Sequence, residues 1–303
     1  MPANVASVEP ANKWKQRQVL KQRLLTAFTL GPLVIWGVLA LPNVFFALIM
    51  GLLILMGSWE WGNLAGFTAA IQRGAFTAVN AVAMGAVWYL LHYQSQFALP
   101  LFSGTVLLWL LISILVMTYP ASAGSWANRW VKALVGLLIL VMTWAALIVV
   151  HGGETNGPYF VLYLFLLIWF ADSAAYFGGR RWGRRKLAPK VSPGKSWEGV
   201  YSALAIAVPT AAVGGYVLGM FDLGLGKAAV FFLFSLLLTF ISVLGDLTES
   251  MFKRQMSVKD SGSLLPGHGG ILDRIDSMTI ASPVFLMGLW WLFDMKLVLS
   301  GSK

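Results

Sequence analysis

The sequence predicts an all-α integral membrane protein of about nine transmembrane helices, N-terminus cytoplasmic, C-terminus outside, with a polar cavity open to the cytoplasm. Three observations predict it. Hydrophobic residues fill 58% of the 303 positions and charged residues only 11%, against about a quarter in soluble domains. That is too little charge to face water over a protein of this size. Apolar runs of roughly 20 residues, the length that crosses a bilayer, recur along the chain. The basic residues also gather in alternate connections.

The elements follow in order. Residues 1–23 are polar and carry Lys13, Lys15, Arg17, Lys21 and Arg23. The apolar run 24–41 is long and is closed by no small-residue cleavage site, so it reads as a retained span rather than a signal peptide. Further spans are expected at 43–63, 75–94, 98–118, 131–151, 158–177, 199–219, 228–249 and 279–298. Turn signals such as Leu41-Pro42-Asn43, Tyr119-Pro120 and Gly152-Gly153 separate them. Almost nothing separates the first two, which predicts a tight helical hairpin. With the N-terminus inside, the cytoplasmic segments and the span edge at Lys132 hold 19 of the 22 Lys and Arg, leaving Lys227, Lys296 and Lys303 outside.

Three regions result: a basic segment 1–23, helices one to five over 24–151, and helices six to nine over 152–303. The last region contains two long polar cytoplasmic loops, 178–198 and 250–278, where the chemistry is expected. There is no cysteine, which excludes disulfides and thiolate catalysis. On a membrane protein the net charge of +10 points to orientation and anionic headgroups, not to nucleic acid.

Carboxylates inside apolar runs cost roughly 2.5–3.5 kcal/mol each at the bilayer centre and mark function by default. Glu60, Asp172, Asp246 and Glu249 lie within or at the ends of such runs. Their spans all run outside to inside, so all four sit near the cytoplasmic ends and fit one cavity. Asp246, Glu249, Ser250 and Lys253 follow i, i+3, i+4, i+7 spacing and share a helix face.

The segment 250–276 reads SMFKRQMSVKDSGSLLPGHGGILDRID. Lys253, Arg254 and Lys259 offer charge to phosphates; Asp260, Asp273 and Asp276 offer hard oxygen ligands of the kind Mg²⁺ takes alongside waters and substrate phosphates. A helix starting near Ile271 places Asp273 and Asp276 on one face. The run Pro266-Gly267-His268-Gly269-Gly270 is a turn suited to close backbone approach. Composition alone leaves this nucleotide-phosphate reading level with a solvated, salt-bridged loop.

Spacing separates the two readings. Ser250, Phe252, Lys253, Arg254, Lys259, Asp260, His268, Gly269, Gly270, Asp273, Arg274, Ile275 and Asp276 are in register with the signature of the phosphatidate cytidylyltransferases (CDP-diacylglycerol synthases), which the chain resembles. Upstream, Asp172 with Tyr176, Gly179 and Arg180, and Ser192-Pro193-Gly194-Lys195-Ser196-Trp197-Glu198-Gly199, are similar to the same family's other stretch. Ser173 and Ser196 stand where the family has Thr, and Gly194 where a bulkier polar residue is common. Trp59-Glu60-Trp61 resembles the family's second-span Glu. The five cations from Arg180 to Lys186 are equally accounted for as a polybasic patch for anionic lipid.

The resemblance implies that CTP and phosphatidate yield CDP-diacylglycerol and pyrophosphate, for phospholipid biosynthesis, with Mg²⁺ required. It implies a homodimer and, in a bacterium, the inner membrane with the site facing the cytoplasm. Asp246, Lys253, Asp273 and Ser250 are then the expected catalytic residues. Asp246, Asp273, Asp276 and Asp260 are the candidate metal ligands. Lys195, Ser192, Ser196, Arg254, Lys259, His268, Gly269, Gly270 and Arg274 are expected to contact substrate. Glu60, Asp172 and Glu249 would line the cavity or hold a second cation. Two rival functions are a CTP-dependent lipid kinase of the polyprenol type, which releases CDP, and a cation-coupled transporter, which the clustering of acids on one side disfavours.

Overall fold

A computed structural model of the chain describes residues 31–153, 156–262 and 269–293. Among them, eight helices are long and apolar enough to cross a membrane. They are α2 (Asn43–Ala65), α3 (Ala70–Tyr93), α4 (Ala98–Met117), α6 (Arg129–His151), α7 (Gly157–Trp182), α8 (Trp197–Val217), α9 (Leu225–Gln255) and α10 (Leu272–Phe293). A shorter apolar helix, α1 (Gly31–Ala40), precedes them, and one turn, α5 (Ala123–Trp126), precedes α6. The protein is an all-α membrane protein. Spans two to nine each have a helix of membrane-crossing length and the first contains α1, while residues 24–30 of the first and 294–298 of the last lie outside the described residues.

The two segments expected as loops are more structured than their composition suggests. Helix α7 runs on to Trp182, with Arg180 and Arg181 in its last turn, where cations complement the helix dipole. A two-stranded antiparallel ribbon follows, β1 (Lys186–Ala188) and β2 (Ser192–Ser196), with Lys186 opposite Ser196 and Ala188 opposite Ser192. Its residues lack the alternation and the β-branched content that announce strands. Tertiary contacts hold it instead: Trp197 N–H donates to Arg185 O at 2.9 Å and Arg254 Nε to Val191 O at 3.0 Å. Helix α9 likewise continues to Gln255 and ends on Ser257, in the left-handed region at φ 55°.

Helix α6 is the central post. Every residue from Ile139 to His151 is buried, as expected of a helix apolar all round. Helix α2 packs on it, and α7 on α8, α8 on α9 and α9 on α10. Helices α3 and α4 instead expose large apolar side chains, among them Ile71, Val79, Val82, Leu107, Leu110 and Ile114, a surface that lipid must cover.

Small residues set these contacts, as is common where lipid removes a hydrophobic drive between helices. The Trp61 indole lies so close on α6 that a Cβ at Gly136 would fall 2.0 Å from its Nε1. That Nε1 donates to Lys132 O at 2.9 Å, and the Trp61 ring packs on Phe252 of α9 at 4.9 Å. At the other end His151 contacts Asn43 Oδ1 at 3.1 Å and Val38 O at 2.9 Å, and stacks on Phe46 at 4.0 Å. These contacts bind the expected α1–α2 hairpin to α6.

Gly136→Ala should therefore lower the thermal unfolding midpoint in detergent, with overpacking costing about 1–3 kcal/mol. Gly85→Ala in α3 meets nothing within 4 Å and should hold or raise it. Equal midpoints for the two variants would show that the α2–α6 contact is not so tight.

Candidate active site

The site lies where α9 and α10 touch. A Cβ at Gly245 would sit 2.3 Å from Asp276 O, so only glycine lets the two backbones meet there. This contact brings the acids of α9 beside those of α10. Helix α7 adds Asp172 and the β-ribbon adds Lys195.

Two groups of charge form, joined through Asp276, which also interacts electrostatically with Glu249 and Lys253 of the second. In the first, Asp172, Asp246 and Asp276 interact electrostatically with one another and with Lys195. Lys195 Nζ is 2.6 Å from Asp246 Oδ2, and Ser250 Oγ donates to Asp246 Oδ1 at 3.2 Å. Asp276 accepts from Ser277 N–H at 2.7 Å, and Asp172 from the Ser277 hydroxyl. Three carboxylates thus face one ammonium.

In the second group, Lys253 Nζ lies 2.6 Å from Asp273 Oδ1 and 3.3 Å from Glu249 Oε1. Glu249 is 2% exposed and accepts no hydrogen bond of good geometry. Asp273 Oδ2 accepts from Gly270 N–H at 2.9 Å, Ser261 N–H at 3.2 Å and the Ser261 hydroxyl at 3.0 Å. As the second residue of α10 it serves that helix's N-terminus, where carboxylates are favoured. Its Oδ2 thus takes three donors and its Oδ1 the Lys253 ammonium.

Glu60 completes this arrangement from α2. It is 3% exposed. Its Oε1 accepts from Ile271 N–H at 3.2 Å; its Oε2 accepts from Leu272 N–H at 2.9 Å and from the Ser261 hydroxyl at 3.2 Å. The first N–H groups of a helix have no partner within it, and a carboxylate from another helix supplies one here. Glycine is required around it: a Cβ at Gly262 or Gly270 would come within 2.4 Å of a Glu60 oxygen. Glu60 was expected to line the cavity or hold a second cation; the structure has it clasping the start of α10.

The structure disperses some of the expected site. Ser196 is 4% exposed and caps α8, accepting from Gly199 N–H at 3.2 Å. Arg254 spends its Nε on the ribbon. Lys259 and Asp260 are exposed beyond α9 and join neither group. Ser192 starts β2, half-buried, and Arg274 is exposed on α10. Gly269 is left-handed at φ 81°, and a Cβ there would lie 3.0 Å from Asp273 Oδ2. His268 lies outside the described residues. Ser261, Gly262, Gly245 and Ser277 were missed; for Ser261 and Gly262 the signal was their place inside the polar segment after Asp260.

The donor set suits a divalent cation that substrate helps to bind. Among the described residues no three His, Asp or Glu side chains converge tightly enough to hold a metal alone. Mg²⁺ commonly takes one or two carboxylates and completes its shell with water and phosphate oxygens. The surplus of carboxylate over ammonium in the first group matches such an ion in charge, whereas Asp273 is already bonded to Lys253, Gly270 and Ser261.

Residues 21–292 match the cytidylyltransferase family. The chain belongs to that family. Relatives in the cytidylyltransferase family include a phosphatidate cytidylyltransferase of Pseudomonas aeruginosa, 46% identical over 278 residues, 90% of this chain and 97% of the relative. One of Haemophilus influenzae is 39% identical over 292 residues, 88% and 97%. One of Brucella suis is 33% identical over 286 residues, 88% and 92%. The family match spans every residue of both charge groups.

Glu60→Gln places an amide donor against the backbone donors of Ile271, Leu272 and the Ser261 hydroxyl. An unmet buried group costs about 1–3 kcal/mol, so this variant and Gly270→Ala should both lower the thermal midpoint. Unchanged midpoints in both would contradict the clasp.

Proposed function

We propose that the protein is a phosphatidate cytidylyltransferase acting at the cytoplasmic face of a bacterial inner membrane. The observation that carries this reading is the meeting of α9 and α10 at Gly245, which brings Ser250, Asp273 and Asp276 of the signature, with Asp246 and Glu249, around Lys195 and Lys253. Its topology is the one the charge pattern supports: nine spans, N-terminus inside, C-terminus outside, and a polar cavity open to the cytoplasm. The reading includes a homodimer, supported by the family resemblance alone.

In this reaction a phosphate oxygen of phosphatidate attacks the α-phosphorus of CTP. The bond from that phosphorus to the α,β-bridging oxygen breaks, and pyrophosphate leaves with the electron pair. No protein nucleophile takes part. The work left to the chain is positioning and charge stabilisation.

Asp246 and Asp276, with Asp172 beside them, would hold Mg²⁺. When bound, the ion neutralises triphosphate charge and orients the leaving pyrophosphate. Lys195 lies against Asp246 and exchanges that partner for a phosphate. Lys253 keeps its place between Glu249 and Asp273 and presents its remaining N–H to the substrate. Ser250 holds Asp246 in position. Asp273 acts through Lys253, and Glu60 acts through the start of α10. Lys259, Arg254, Ser192 and Arg274 contribute charge or hydrogen bonds at the mouth.

The purified protein, given CTP labelled at the α-phosphorus, phosphatidate and Mg²⁺, should produce labelled CDP-diacylglycerol and one equivalent of pyrophosphate. Chelation of Mg²⁺ should abolish both. Release of CDP with a phosphorylated lipid would instead mark the lipid kinase. Flux of solute in liposomes without CTP turnover would mark the transporter. Asp246→Asn should lose at least about a hundredfold in kcat, the scale of removing a charge-positioning group; Asp260→Asn should stay within a few-fold.

A further inference from the structure

Lys132 is the buried cation that the reaction does not use. It is 4% exposed, and no Asp or Glu among the described residues pairs with it. Its Nζ meets the Met256 sulfur at 3.3 Å, a weak acceptor. A Cβ at Gly66 would lie 4.0 Å from that Nζ, which puts the ammonium by the C-terminus of α2. A helix C-terminus offers about half a negative charge and does not neutralise it. Nor can the backbone withdraw, because Trp61 holds the Lys132 carbonyl and fits only against Gly136. Burying an ammonium without a partner is strongly unfavourable.

Beside Lys132 opens a crevice of about 270 Å³, between α4 and α6 and floored by Phe252 of α9. Leu108, Leu111 and Leu115 line it along α4, and Val135 along α6. Leu111 is 54% exposed, so the crevice faces outward on the apolar surface that lipid covers. From Leu108 to Leu115 is about 10 Å along a helix axis, against roughly 15 Å for one leaflet of hydrocarbon. Lys132 and Ser125 are also among its lining residues. Exposed Trp130, with the Arg129 guanidinium over its ring at 5.3 Å, stands at the Lys132 end of α6, as aromatic and basic residues do at headgroup depth. Phe252 faces Trp61 and Trp126, while Lys253, next along α9, faces Asp273. The crevice is therefore separate from the catalytic groups.

We propose that this crevice binds an anionic membrane phospholipid, its phosphate paired with Lys132 and one acyl chain lying along α4. An apolar slot for the chain and an uncompensated cation at headgroup depth are the two halves of such a ligand. A free phosphate would leave the slot empty, and a zwitterionic lipid would bring its own cation beside Lys132 and pair with it less well.

The full chain in neutral detergent tests this through its thermal midpoint with phosphatidylglycerol, with phosphatidylcholine of the same chains, and with inorganic phosphate. For the unmodified protein, phosphatidylglycerol should raise the midpoint by roughly 3 °C more than phosphatidylcholine, and phosphate should not raise it. Lys132→Met should erase the difference between the two lipids while its lipid-free midpoint holds or rises. Leu111→Trp, which fills the slot and leaves the charge, should also shrink the difference, and it decides the matter should Lys132→Met fail to fold. Lys190→Met, on the exposed ribbon, should keep it. A full phosphatidylglycerol increment in both Lys132→Met and Leu111→Trp, or an equal increment from phosphate, would overturn the proposal.

Discussion

The Glu60 carboxylate is the tie on which the site depends. It reaches from α2 to accept hydrogen bonds from Ser261, Ile271 and Leu272, so it holds together residues on both sides of segment 263–268, between α9 and α10. The Ser261 hydroxyl is shared between Glu60 and Asp273. Asp273 in turn fixes Lys253, and Lys253 sits against Glu249. A chain of charge-assisted contacts thus runs from α2 through α10 to α9. Each such bond contributes about 1.5–3 kcal/mol, and in a low-dielectric interior each also polarises its neighbours.

This chain explains why the two charge groups differ. Lys253 lies between Glu249 and Asp273, and Gly270 and Ser261 supply Asp273 with further donors, so this group is the more closely bonded of the two, although it also holds one more carboxylate than ammonium. The Asp172–Asp246–Asp276 group is open: three acids meet one lysine, on a ribbon that joins the helices mainly through Arg254 and Trp197. A closed group holds shape and an open one waits for counter-charge. In the proposed reaction the nucleotide and its cation would belong with the open group. The same imbalance with the opposite sign marks Lys132, a buried ammonium with no acidic partner among the described residues, beside an apolar slot.

The spans were legible because a bilayer demands length and apolarity in consecutive residues, and α2 to α9 follow those runs closely. The ends of α7 and α9 were less so: Arg180, Arg181 and Arg254 read as loop by polarity, yet they extend helices whose last turns favour cations. The ribbon was illegible because Arg254 and Trp197 hold it, and no local pattern records those contacts. Asp246 and Lys253 were found by shared helix face and motif spacing. Asp273 and Asp276 were also expected on one face, but α10 turns Asp273 toward Lys253 and Asp276 toward Asp246. That division depends on Gly245, whose importance appears only when α10 lies against it. Glu60 was singled out as a buried acid, while its partners more than 200 residues away stayed hidden.

The central claim is that the open group holds the cation and the closed group holds the structure. Mn²⁺ binding, followed by its paramagnetic resonance in the presence of CTP, tests it most directly in Asp276→Asn and Asp273→Asn together with their thermal midpoints. The account predicts a large loss of Mn²⁺ affinity in Asp276→Asn with little change in midpoint, and a lowered midpoint in Asp273→Asn with Mn²⁺ affinity largely kept. Loss of Mn²⁺ affinity in Asp273→Asn at an unchanged midpoint, with affinity kept in Asp276→Asn, would contradict it.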